Sequence, residues 1–218
     1  MALSVANAIP AITVSSSRLE LSGDDRRVAM HHLDSQGAID WQPVDGGSVA
    51  IITTSQIHEA LAQANAVASN LRREEGQNQR RGWWTLPNPV DGSQAEAKCF
   101  NAGTNVYNTL ITAAIDSACS TLIAAIPGGN LIENTYIYMK YTKGITDISG
   151  AVSALAFGFK PMNNASPPTK TLCSDAFVAL VGACEKAASN QGGYLAFGSG
   201  SNELYEFDLD PGTSTGGQ

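Results

Sequence analysis

Two arginine pairs, Arg72-Arg73 and Arg80-Arg81, flank a polar spacer in the stretch NLRREEGQNQRRGWWTLPNP. Basic pairs in such a setting suit proteolytic processing, because a subtilisin-like protease of the secretory pathway cuts after a dibasic pair in an open segment. Gly76 and the Gln/Asn spacer favour an open chain here, and a cut after Arg81 would free a fragment beginning Gly82-Trp83-Trp84. A helix C-terminus would account for Arg72-Arg73, since cations are favoured there, but not for Arg80-Arg81. A nucleic-acid surface needs a broad basic patch. A chain of net charge −7 with Glu74-Glu75 beside the arginines does not offer one.

The remaining chemistry-bearing groups are cysteines, carboxylates, histidines and aromatics. Cys99, Cys119, Cys173 and Cys184 contain no C-x-x-C pair, and no histidine follows Gly82, so no zinc site is expected. Cys173 and Cys184 lie on one predicted helix, roughly 16 Å apart, too far for a bridge that needs Cα atoms within about 7 Å. With two helices side by side in the same direction, the expected bridges are Cys99–Cys173 and Cys119–Cys184. Four free buried thiols are the competing reading. Glu203, Glu206, Asp208 and Asp210 would allow paired-carboxylate glycosidase chemistry. On a strand, Glu206, Asp208 and Asp210 share one face, and solvation is the expected role. His31 and His32, adjacent on a predicted strand, would point to opposite faces and make a poor metal pair. The part after Gly82 lacks the histidine that Ser-His-Asp or Cys-His catalysis requires, and no phosphate loop or dinucleotide fingerprint occurs. No enzyme, cofactor or metal is therefore expected. Trp83, Trp84, Tyr136, Tyr138 and Tyr141 are a candidate binding surface that could stack on sugars or be covered by the N-terminal part. Asn164-Ala165-Ser166 is a glycosylation sequon.

These residues need elements to hold them. The N-terminal part, 1–81, reads as a smaller β-rich unit with one helix. AITVSSSRLELSG and RRVAMHHLDSQ alternate as strands, AIDWQPV and SVAIITT form a hairpin across Asp45-Gly46, and a helix capped by Ser55 runs to Leu71. The part 82–209 reads β-α-β-β-α-β-β: a split β-α-β sandwich of the α+β class, two helices on one antiparallel sheet. Its first helix, capped by Thr104 or Asn105, carries Val106, Leu110, Ala114, Ala118 and Leu122 at four-residue spacing. Its second, capped by Ser174, runs to Gly192-Gly193. Residues 210–218 are an expected disordered tail. The parts differ in composition: every cation before Gly82 is arginine and every later one lysine, and all cysteines follow Gly82.

A dibasic linker followed by a small α/β domain with cysteines on two helices resembles the fungal killer-toxin-like proteins, the smut-fungus and halotolerant-yeast type. The stretches that carry the resemblance are RREEGQNQRR, CFNAGTNVYNTLITAAIDSAC and CSDAFVALVGACEKAASNQGGYLAFG, across about Trp83 to Leu209. The resemblance implies an α/β sandwich, release by a Kex2-like protease, and toxicity or host manipulation without catalysis. This chain departs in having only four cysteines and a long, structured-looking N-terminal part. The expected partners are thus the protease, the two fragments for each other, and a target cell or host component, with no nucleic acid and no membrane span. The expected location is extracellular, although the start MALSVANAIPAITV lacks the basic region and sustained apolar core of a signal. An unprocessed two-domain carbohydrate-binding or structural protein is the alternative.

Overall fold

The computed structural model describes residues 23–68, 81–84, 94–100, 103–126, 135–161, 167–199 and 202–212. Arg72, Arg73, Arg80, Asn164, the Trp83 and Trp84 side chains and the tail beyond Gly212 lie outside the described residues. In chain order the elements are α1 (Gly23–Ser35), β1 (Gln42–Val44), β2 (Gly47–Thr53), α2 (Thr54–Ala68), β3 (Arg81–Trp84), β4 (Gln94–Cys99) and β5 (Val106–Tyr107). Then follow α3 (Asn108–Ala124), β6 (Thr135–Tyr141), β7 (Leu155–Pro161), α4 (Lys170–Cys184), β8 (Glu185–Lys186), β9 (Ser189–Asn190), β10 (Gly193–Ser199) and β11 (Asn202–Pro211). The class is α+β, as the sequence predicts.

One antiparallel sheet of eight strands, in the order β1-β2-β6-β7-β11-β10-β4-β3, forms the middle layer. Strand alternation divides its side chains between two cores. Ile137 and Met139 of β6, Phe157 and Phe159 of β7, and Phe207 and Leu209 of β11 face α3 and α4. Ala50 and Ile52 of β2, with Tyr136 and Tyr138 of β6, face the opposite way and pack with Ala29 and Met30 of α1 and Ile57 and Ala60 of α2. The hairpin β1–β2 extends the sheet by pairing β2 with β6 over seven residue pairs, Gly47↔Tyr141 to Thr53↔Thr135. The N-terminal part therefore shares both the sheet and a core with the rest. The boundary expected after Arg81 falls at the start of β3, where Arg81 pairs Lys98 and Gly82 pairs Ala97.

Several local expectations are corrected. RRVAMHHLDS is helix α1, not a strand: Asp24-Asp25 open it, as acidic residues favour a helix start, and Arg26, Ala29, Met30 and Leu33 recur at helical spacing on its inner side. The α2 cap is Thr53 rather than Ser55. Thr53 Oγ1 accepts from Gln56 N at 3.2 Å, and Gln56 Oε1 accepts from Thr53 N at 2.8 Å, a capping box. Thr169, not Ser174, caps α4 by accepting from Leu172 N at 3.1 Å. No side chain caps α3. Its Asn108 N–H instead donates to Ala188 O at 2.9 Å. That carbonyl belongs to the β8–β9 hairpin, which ends α4 at Cys184 rather than at Gly192-Gly193. Ala187 and Ala188 turn this hairpin at φ 48° and 64°, a region where alanine is strained. Helix propensity alone gives no hint of it.

The disulfides are Cys99–Cys184 and Cys119–Cys173, with Cα atoms 5.3 and 5.8 Å apart. Both expected pairs are overturned, and the cause is helix direction. β6 and β7 form a hairpin, so the chain enters the second crossover reversed. Along the sheet β4 and β6 run one way, β7 and β10 the other. α3 links the first pair and α4 the second, so the helices are antiparallel. Late α3 meets early α4 at Cys119–Cys173, and Lys170 Nζ reaches Asp116 at 2.7 Å nearby. The end of α4 meets β4 at Cys99–Cys184.

Candidate functional site

β11 presents Tyr205, Phe207 and Leu209 to the disulfide-linked helices, and Glu206, Asp208 and Asp210 to the side covered by α1. The three acids were expected to be solvated. They are buried, with 6–7% of their surface exposed. A buried carboxylate keeps its charge only with strong partners, and α1 supplies them.

Arg26, 2% exposed, meets Asp208 side-on: Nε donates to Oδ2 at 3.2 Å and Nη2 to Oδ1 at 3.0 Å. The same Nη2 also donates to Glu206 Oε1. The guanidinium lies over the rings of Tyr194 (5.1 Å) and Tyr136 (5.7 Å), a favourable cation–π arrangement. Burial alone would pull the Arg26 pKa down; the charges of Asp208 and Glu206 outweigh it and hold the pKa well above its ordinary value. Tyr138 Oη donates to Asp208 Oδ2 at 2.8 Å. Burial, and then the Asp208 charge, raise the Tyr138 pKa well above the ordinary phenol value. Burial likewise raises that of Tyr136.

Asp210 forms the outer end of the cluster. Its Oδ2 is 2.8 Å from His31 Nε2. Its Oδ1 is 3.3 Å from Arg27 Nε, yet neither atom makes a hydrogen bond and both are buried. Arg27 stacks over Phe100 at 4.9 Å. Beside them is a cavity of about 30 Å³ whose lining includes Met30, Trp41, Phe100, Tyr138, Asp208 and Asp210. That exceeds the roughly 10–15 Å³ that one water needs. A second tie joins the N-terminal part to β6: Asp34 accepts from Trp41 Nε1 at 2.8 Å and Lys140 Nζ at 2.9 Å.

The candidate binding surface is not an exposed platform. Tyr136 and Tyr138, 1% and 3% exposed, lie beneath α1 and α2, and Tyr141 turns into the opposite core. His31 and His32 sit on a helix; His32 lies 3.3 Å from Gln63 of α2. Among the described residues no group of three or more His, Cys, Asp or Glu is placed to hold a metal ion, and no helix is long and apolar enough to cross a membrane. The arrangement can anchor cations; its carboxylates are neutralised by arginine rather than poised as an acid–base pair. The contact of Arg26 with Glu206 and Asp208 was not read from the sequence. The signal was present as ELYEFDLD, whose acids alternate with core residues, opposite the arginine pair in DDRRVAM.

No protein-family model, no curated protein and no solved structure matches this chain.

Proposed function

We propose that this chain is a secreted precursor of killer-toxin-like type, cut at an arginine pair and acting by binding a target cell or host component rather than by catalysis. The observation that carries the reading is the position of the arginine pairs. Arg72, Arg73 and Arg80 fall between α2 and β3, and Arg81 is the first residue of β3. The two parts joined there are also held by β2–β6 pairing and by Arg26 on β11. A cut there would leave two chains in one folded body. Cleavage after Arg81 would require β3 to unzip from β4, because proteases take their substrate as a locally unpaired strand. Arg72-Arg73 is therefore the preferred site and Arg80-Arg81 the slower one. The two disulfides suit an oxidising compartment. The carbohydrate-binding alternative loses support, since Tyr136, Tyr138 and Tyr141 are buried.

Intact-mass measurement on the protein secreted by its native host tests this reading. The expected result is two chains, divided after Arg73 or Arg81. A single uncut chain would contradict it.

A further inference from the structure

The pocket at the outer end of the β11 cluster holds a polar pair that the fold leaves unsatisfied. Asp210 Oδ1 and Arg27 Nε are buried 3.3 Å apart, and neither makes a hydrogen bond. Asp210 is only 7% exposed, and both residues line the cavity of about 30 Å³. The other polar side chains of the lining are already bonded. Asp208 accepts from Arg26 and Tyr138, and Asp34 accepts from Trp41 Nε1 and Lys140 Nζ. The remaining wall is apolar, made of Met30, Trp41, Phe100 and Ala156. The carboxylates are also matched in charge: Asp208 by Arg26, Asp210 by Arg27 and Asp34 by Lys140. The pocket therefore favours neither a cation nor an anion. Arg27, Asp34 and Trp41 are partly exposed, so it is reached from solvent without moving α1.

A single atom that both donates and accepts meets the needs of the pair, by donating to Asp210 Oδ1 and accepting from Arg27 Nε. A water and a hydroxyl both do this; they differ in how they use the rest of the space. The volume exceeds that of one water, and a second water against the apolar wall lacks the roughly two to four polar partners that hold buried water. A short carbon body suits that wall instead. An ammonium would satisfy Asp210 but oppose Arg27, and a carboxylate the reverse. We propose that this pocket binds a small neutral molecule carrying one hydroxyl on a short apolar body. The hydroxyl bridges Arg27 Nε and Asp210 Oδ1, and the body lies against Met30, Trp41, Phe100 and Ala156. α1 stays in place as one wall, with its arginines paired as they are. Binding does not depend on cleavage between α2 and β3.

The test uses the uncut full chain with carbon-13 in its methionine methyls, read by NMR. Met30 lines the pocket and Met139 lies in the opposite core, so one signal reports binding and the other controls for general solvent effects. The probes are ethanol, acetonitrile and ethylammonium, equal in heavy atoms. Ethanol donates and accepts, acetonitrile only accepts, and ethylammonium only donates and is charged. A ligand this small reaches about millimolar affinity at best, so the titrations run to about 0.3 M. Ethanol should shift the Met30 methyl along a saturating curve and leave Met139 unmoved. The other two should bind at least about fivefold more weakly. Ala156→Val narrows the pocket and should abolish the ethanol saturation. If that variant does not fold, Arg27→Met, at a partly exposed position, should weaken ethanol binding at least about fivefold. A Met30 response that stays linear with every probe would mean that the pocket takes water only, and would overturn the proposal. Equal saturation by the three probes would overturn it too, since the pocket would then not read a hydroxyl. Ethanol binding unchanged in a folded variant would place the binding elsewhere and overturn the site.

Discussion

Tyr138 and Asp208 stand two strands apart, and the tyrosine ring reaches the aspartate by lying across Gly158. Gly158 is the register partner of both, and the Tyr138 hydroxyl donates to Asp208 Oδ2 at 2.8 Å. A β-carbon at Gly158 would overlap the Tyr138 ring. Gly158→Ala is therefore expected to displace the ring, remove a donor from Asp208 and destabilise the fold by about 1–3 kcal/mol. Urea unfolding checks this. In a Tyr138→Ala background the further loss should shrink, because the obstacle is gone. An unchanged loss would point to the backbone instead.

Arg26→Ala should cost about 3–5 kcal/mol, since it strands two buried carboxylates rather than deleting a surface pair. Lys170→Ala, which removes an exposed pair with Asp116, should cost about 1 kcal/mol or less. Comparable losses in chemical unfolding would mean that the β11 cluster is far more solvated than its burial indicates.

The disulfide pairing predicts which cysteines behave as one. Cys119→Ala and Cys173→Ala should each cost about 2–5 kcal/mol, and the double variant should be close to either single one. Cys119→Ala with Cys184→Ala should add, because each breaks a different bridge. Peptide mapping under non-reducing conditions gives the same answer directly.

Alkaline pH should unfold the protein through Tyr136 and Tyr138. Burial raises both phenols in the folded state, so above the unfolded value of about 10 the unfolded chain releases protons that the folded chain retains. Their contribution is fully present below that pH and is lost as pH rises. Tyr138→Phe should flatten the fall of Tm above about pH 10 while lowering Tm near neutrality through the lost bond to Asp208. An equally steep fall in the variant would remove Tyr138 as a cause.

The half of the fold with simple patterns was legible from the residues. TYIYMKY, GYLAFGS and NELYEFDLD read as strands, and the α3 and α4 stripes stood out because their buried faces are apolar. α1 was misread because its buried face includes Arg26: a hydrophobicity pattern scores that arginine as exposed, which hides the helical period. The disulfides were misassigned although the β6–β7 hairpin was visible, since a hairpin between two crossovers must reverse the second helix. β4 was missed because QAEAKC lacks β-branched residues. The acids of β11 were seen to share a face. That their partners would come from α1, 180 residues away in the case of Glu206, is a tertiary fact that no local spacing carries.

The β2–β6 ladder and the Arg26 cluster join the N-terminal part to the rest in addition to their covalent link. The direct measurement is cleavage of the native full chain with a Kex2-type protease, followed by size exclusion at low concentration and native mass spectrometry. The expected result is a first cut after Arg73 and two fragments that co-elute at the mass of the uncut chain, parting only on denaturation. Immediate separation of an N-terminal fragment from a still-folded remainder, or resistance at both arginine pairs, would contradict it.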